Sequence, residues 1–171
     1  MRVFLPAFAA LTFALSAALP AGAVPAPHVS VSSLAELEVP DTPFDAGRDA
    51  NADVDAALAR AKKSGKRVLI DLGGNWCADC RILSGLMELP EMRAFLAAHY
   101  EIATVDVGRF NRNLQIPARW GITTRLAGVP ALLVVTPDGK TLVNAGRVSA
   151  IQDARHFTPQ ALADWLAQWT A

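Results

Sequence analysis

Cys77 and Cys80 are the only cysteines in the 171-residue chain, and they stand three apart in Trp76-Cys77-Ala78-Asp79-Cys80. Two thiols at that spacing at the start of a helix can close into a disulfide without moving the backbone, so the pair can cycle between dithiol and disulfide. Cys77 falls at the expected helix N-terminus, where unpaired N–H groups and the helix dipole favour a thiolate, and is read as the attacking sulfur. Cys80, one turn further in and more shielded, is read as the resolving sulfur that attacks the mixed disulfide made by Cys77. The same spacing also serves structural disulfides and half-sites for zinc, so those alternatives stand beside redox catalysis. His28, His99 and His156 read as surface or capping residues, so no metal site is expected. No cofactor is expected beyond the Cys77–Cys80 disulfide itself.

The elements that must position this pair are legible around it. Arg67-Val68-Leu69-Ile70-Asp71-Leu72 reads as a short buried strand, Gly73-Gly74-Asn75 as a turn, and Cys77 to about Met87 as a helix with Ile82, Leu83, Leu86 and Met87 on its apolar face. Upstream, Asn51 or Asp53 opens a helix through about Lys63 that stops at Ser64-Gly65. Downstream, Pro90 leads into a helix from Glu91 to His99, and Glu101 to Val107 is the next strand. Arg109 to Trp120 is polar at first and then amphipathic. Ala131–Thr136 and Thr141–Ala145 read as two strands joined by the turn Thr136-Pro137-Asp138-Gly139. Thr158 caps a final helix with Pro159 at its first position and Leu162, Trp165, Leu166 and Trp169 facing the sheet. The expected class is therefore α/β: a mixed four- to five-stranded sheet with helices on both faces.

Strand, turn, CxxC and helix in that order, followed about fifty residues on by Gly128-Val129-Pro130-Ala131, resemble the thioredoxin family over roughly Phe44 to Ala171. Three matches carry the resemblance. Asp71 stands six residues before the first cysteine, where the family has a buried aspartate; Val129-Pro130 matches its cis-proline loop; Trp76 matches the tryptophan before the first cysteine. The resemblance implies a thioredoxin-like fold, thiol:disulfide exchange at Cys77 and Cys80, and Asp71 as the group exchanging a proton with Cys80. It also implies substrate binding by Trp76, Val129 and Pro130. Family members often set a lysine on the adjacent strand beside that acid, and Thr104 takes its place here. Ala78-Asp79 replaces the family's usual Gly-Pro, and Gly73-Gly74 an aromatic and a small residue.

Ala78 and Asp79 are read as redox-tuning residues. The Asp79 carboxylate is expected to oppose a Cys77 thiolate by like-charge repulsion, which favours a reductase or isomerase over a strong oxidase. Arg109 to Asn113 and Thr123 to Ala127 are loops that could rim the site, or ordinary polar connections.

Residues 1–23 read as a signal peptide: Arg2, an apolar run from Val3 to Leu19, and the small-residue site Ala21-Gly22-Ala23. An uncleaved membrane anchor is the alternative, and a membrane partner is expected only in that case. Residues 24–44 read as an extended, strand-poor linker and 45–171 as one thioredoxin-like domain. Lys plus Arg and Asp plus Glu balance at 16 each, with no basic run or acidic tail, so nucleic acid is not an expected partner. The sequence thus points to a monomeric, periplasmic or secreted thiol:disulfide oxidoreductase acting on protein thiols or disulfides with an upstream electron donor or acceptor. A binding or chaperone module with a non-catalytic disulfide, or a metal-handling protein, is the alternative.

Overall fold

The computed structural model describes residues 24–170. Residues 1–23, and with them the expected signal segment, lie outside the described residues.

Helix α1 (Ala50–Ser64) begins where the Asp49 side chain accepts hydrogen bonds from the N–H groups of Asn51 and Ala52, and it ends at Gly65 in the left-handed conformation, φ 75°. Both ends are thus closed by residue types whose chemistry suits them. Val54, Ala57 and Ala61 form its buried stripe. Strand β1 (Arg67–Gly73) is buried from Val68 onward, because helices cover both of its faces. Helix α2 (Ala78–Met87) carries the second cysteine, α3 (Pro90–His99) starts on Pro90, and β2 (Tyr100–Asp106) returns parallel to β1. A single short turn of helix, α4 (Gln115–Ala118), precedes β3 (Ala131–Val135), which pairs antiparallel to β1. Helix α5 (Pro159–Ala167) closes the fold, its Thr158 side chain accepting from the Ala161 N–H.

Alternation along the strands divides the core. Val68, Ile70 and Leu72 pack with the α1 stripe, while Leu69 on the opposite face packs with Leu83 and Leu86 of α2 and Leu162 and Leu166 of α5. Asp71 shares the Leu69 face by the two-residue period, so it is directed to the α2 side of the sheet.

The sheet is mixed as expected but has three strands among the described residues, in the order β2-β1-β3. The expected strand Thr141–Ala145 is reduced to one bridge between Val135 and Leu142. The reason is Asn144, whose Oδ1 accepts from the Val134 N–H at 2.9 Å and whose Nδ2 donates to the Leu132 carbonyl at 2.7 Å. A buried side-chain amide thereby takes the ladder positions that a fourth strand would fill, and it leaves no open edge there.

The lead-in 24–44 has no strand, as its composition suggests, yet it is packed onto the domain rather than free of it. Val29, Leu37 and Phe44 are buried. Phe44 lies over Gly73, where any Cβ would be driven into its ring, and Asn75 brackets the Phe44 backbone with Oδ1 accepting at 2.9 Å and Nδ2 donating at 2.8 Å. Removing such a buried ring costs about 3–5 kcal/mol, so this segment belongs to the core that supports the site.

Candidate active site

Cys77 is the N-cap residue of α2 and is disulfide-bonded to Cys80, with Cα atoms 5.3 Å apart. The N–H of Cys80 donates to Cys77 Sγ at 3.1 Å, so the first turn of the helix aims a free donor and its positive dipole end at that sulfur. Cys77 lines a cavity of about 380 Å³ together with Trp76, Ala78, Asp79, Phe110, Val129 and others, whereas Cys80 is fully buried and does not reach it. An incoming sulfur can meet Cys77 alone.

The Val129–Pro130 peptide bond is cis. The Val129 carbonyl oxygen lies 3.4 Å from Cys77 Sγ. The loop is held from behind, where Ser149 Oγ donates to the Gly128 carbonyl at 3.0 Å and the Leu132 N–H donates to the Val148 carbonyl at 2.8 Å. A Cβ at Gly128 would overlap the Gln152 side chain as it stands, so a larger residue there requires Gln152 to move.

Asp71 pairs in register with Thr104 on β2 and Leu132 on β3. It is 2% exposed, and its Oδ1 finds no hydrogen-bond partner among the described residues. Burial penalises the ionised form and pushes its carboxyl up to about 7. It borders a second cavity of about 230 Å³ with Pro40, Pro43, Ser84, Met87, Glu88 and Thr104, room for water beneath α2. The lead-in roofs this cavity, anchored where Arg81 donates to the Pro40 carbonyl at 3.0 Å and to Asp41 at 3.0 Å.

Asp79 departs from the sequence expectation. Its carboxylate is buried and engaged by Arg155: Oδ1 accepts from the Arg155 N–H at 2.9 Å and from Nε at 3.0 Å, and Oδ2 is bonded to the guanidinium as well. Burial alone would raise this carboxyl, but the hydrogen bonds and charge of Arg155 outweigh it and hold Asp79 below its ordinary value. The repulsion expected between Asp79 and a Cys77 thiolate is therefore offset by a guanidinium at the same place. The pairing joins α2 to the turn Ala154–His156.

A family model described as thioredoxin-like matches residues 49–137 of the chain. The chain belongs to the thioredoxin-like family. Its structure superposes on the disulphide isomerase from Xylella fastidiosa Temecula1 with a TM-score of 0.70 and 35% identity, covering 75% of this chain and 97% of the other. The thiol:disulfide interchange protein DsbD 1 of Pseudomonas aeruginosa is 36% identical over 91 residues, 52% of this chain; the match spans 14% of that relative's length.

For a thioredoxin-like protein, the residues that the sequence brought forward divide into two places. Trp76, Cys77, Ala78, Asp79 and Val129 meet around one cavity, and Pro130 lies buried next to Val129; Asp71 lies in the sheet below and opens to the other cavity. Arg155 and Gln152 were not anticipated, and no local pattern marks them: Arg155 is 76 residues from its partner Asp79. Among the described residues no cluster of three or more His, Cys, Asp or Glu could hold a metal ion. No described helix is long and apolar enough to cross a membrane.

Proposed function

We propose that this chain is an exported thiol:disulfide oxidoreductase acting on protein disulfides through Cys77 and Cys80. The observation that carries the reading is the asymmetry of the pair: Cys77 at a helix N-cap beside a cavity, Cys80 sealed behind it. In the reducing direction the Cys77 thiolate attacks one sulfur of a substrate disulfide. That S–S bond breaks, one substrate sulfur leaves as a thiolate, and a Cys77–substrate disulfide forms. Cys80 then attacks Cys77 Sγ, the second substrate thiolate leaves, and the pair ends oxidised while the substrate has gained two electrons. An electron donor must return the pair to the dithiol. Asp71 accepts the Cys80 proton as that thiol becomes nucleophilic, since a carboxyl near 7 can both hold and release a proton at neutral pH, and the adjoining cavity supplies room for water to carry it.

Likeness to a disulphide isomerase and a thiol:disulfide interchange protein supports a reductase or isomerase. The negative charge of Asp79 no longer contributes to that choice, because Arg155 offsets it. Export rests on the basic start, apolar run and Ala21-Gly22-Ala23 site of residues 1–23.

The test is trapping. Cys80→Ala, mixed with a disulfide-containing protein, should accumulate a mixed disulfide through Cys77 that thiol reductant releases, and Cys77→Ala should accumulate none. Absence of any reductant-sensitive adduct with Cys80→Ala would leave the disulfide a structural staple.

A further inference from the structure

One wall of the cavity above Cys77 has a chemistry that disulfide exchange does not require. Trp76, 43% exposed, is fixed by its Nε1–H donating to the Gly108 carbonyl at 2.7 Å, and it meets the Phe110 ring edge-on at 6.0 Å. Two guanidinium groups lie over these rings: Arg109 with Cζ 5.0 Å from the Trp76 centroid, and Arg125 with Cζ 4.6 Å from that of Phe110. They come from separate loops and converge on one surface.

The loop that carries this wall is held in an uncommon shape. Phe110 has φ 62°, the left-handed region that a bulky side chain rarely enters. The Gly108 N–H donates to Asp106 Oδ1 at 2.6 Å, the Arg109 N–H to Asn111 Oδ1 at 3.0 Å, and Asn113 Nδ2 to the Asp106 carbonyl at 2.8 Å. Backbone held against its preference beside a reactive group is more often kept for what it presents than for packing.

Charge then identifies what would dock. On the loop that carries Arg109, Arg112 is ion-paired with Asp106, and at the cavity Arg155 is paired with Asp79, whereas Arg109 and Arg125 have no carboxylate within 4.0 Å among the described residues. The chain as a whole is neutral, so two unpaired guanidiniums over the aromatic rings that line the Cys77 cavity are not a by-product of a basic protein. Placed over aromatic rings and without an ion-pair partner, they have N–H groups to offer to carboxylate oxygens. The exposed Asp153 stands among the other lining residues, which would oppose a uniformly polyanionic ligand such as nucleic acid.

We propose that Trp76, Phe110, Arg109 and Arg125 form a docking wall for protein segments that carry carboxylate side chains close to the cysteine exchanged at Cys77. The proposal rests on the oxidoreductase reading above and names the substrate class of that site. Aromatic faces take the apolar part of the segment and the two arginines select its acidic flank.

The reduced protein is mixed with three disulfide-linked homodimeric peptides that differ only in the flank of the cysteine, two Glu, two Gln or two Lys, and the second-order rate of exchange is followed. The order Glu, Gln, Lys is expected. Each step should be roughly three- to tenfold at low salt and should shrink as salt is raised, the range for two exposed charge pairs. In Arg109→Gln/Arg125→Gln the Glu-to-Gln rate ratio should fall to about one. Equal rates for the three peptides, or a ratio that survives the double substitution, would overturn the docking wall and leave exchange at Cys77 standing. No exchange with any peptide would overturn the oxidoreductase reading itself. If the double variant does not fold, the unsubstituted protein still decides the matter: a Glu-to-Gln ratio that shrinks with salt supports the wall, and one indifferent to salt overturns it.

Discussion

Two buried carboxylates, one on the strand beneath α2 and one in the first turn of α2, behave oppositely. Asp71, on β1 beneath α2, is buried with an unpartnered oxygen and has its carboxyl pushed up to about 7. Asp79, beside Cys77, is also buried, but it is met by the side chain and backbone of Arg155 and is held below its ordinary value. Residue type is the same in both. What differs is whether a cation reaches the carboxylate: one group is left able to exchange a proton near neutral pH, and the other is a fixed charge neutralised where it stands.

The largest expected effect comes from removing Asp71. Its carboxyl has an ordinary value of 3.8 and a folded value of about 7, so the folded protein holds a proton that the unfolded chain releases. Stability associated with Asp71 is therefore full below about 4 and is lost as pH rises through about 7. At about 1.4 kcal/mol per unit the loss is on the order of 4 kcal/mol by pH 8. Denaturant unfolding of the oxidised protein at pH 5 and pH 8 should show the part of this decline that lies above pH 5, roughly 3 kcal/mol, and Asp71→Asn should flatten it while slowing disulfide exchange. An equal decline in both proteins would place the titrating group elsewhere.

The Asp79–Arg155 pair offers the next effect, and its sign separates the two partners. Arg155→Ala leaves an uncompensated carboxylate beside Cys77, which destabilises the thiolate and makes the couple more reducing. Asp79→Ala leaves the guanidinium and makes it more oxidising. One to two pKa units at Cys77 correspond to about 30–60 mV for a two-electron couple. The double substitution should return the potential toward its starting value, since it removes the pair as a whole. Equilibrium with a glutathione buffer measures all three; shifts of one sign for both single variants would break the account of mutual neutralisation.

A smaller change would make Asp71 more like Asp79. Thr104, in register with Asp71 and bordering the same cavity, holds the position where an ammonium could be placed. Thr104→Lys should lower the Asp71 carboxyl by about one unit, followed by its infrared band against pH. No change would mean that the new ammonium turns to solvent.

These contrasts also mark what the sequence could reveal. The cysteine spacing, the buried run of β1, the Thr158 cap and the Pro159 start are written in neighbouring residues, so they can be read without a fold. The start of α1 is not where it was expected, at Asn51 or Asp53: the Asp49 carboxylate caps the helix earlier. The burial of Asp71 was legible through the family pattern it matches and its apolar surroundings. The Arg155 partner of Asp79 was not, because the contact spans 76 residues and an arginine in a surface turn carries no local signal. The strand expected at Thr141–Ala145 failed for a related reason: its β-forming residues are in place, but Asn144 spends its side-chain amide on the β3 backbone. The rim was half visible, as two polar loops whose convergence on Trp76 and Phe110 only the fold creates.

The asymmetry of the cysteine pair is what the account stands on, and alkylation of the reduced protein across pH tests it most directly. Brief treatment with iodoacetamide, followed by peptide mapping, should label Cys77 and leave Cys80 unmodified. The labelling rate should titrate below the ordinary thiol value of about 8.5, because the α2 N-terminus and the Cys80 N–H favour the Cys77 thiolate. Equal labelling of the two cysteines, or a Cys77 rate that titrates at or above the ordinary thiol value, would contradict the assignment of Cys77 as the attacking sulfur.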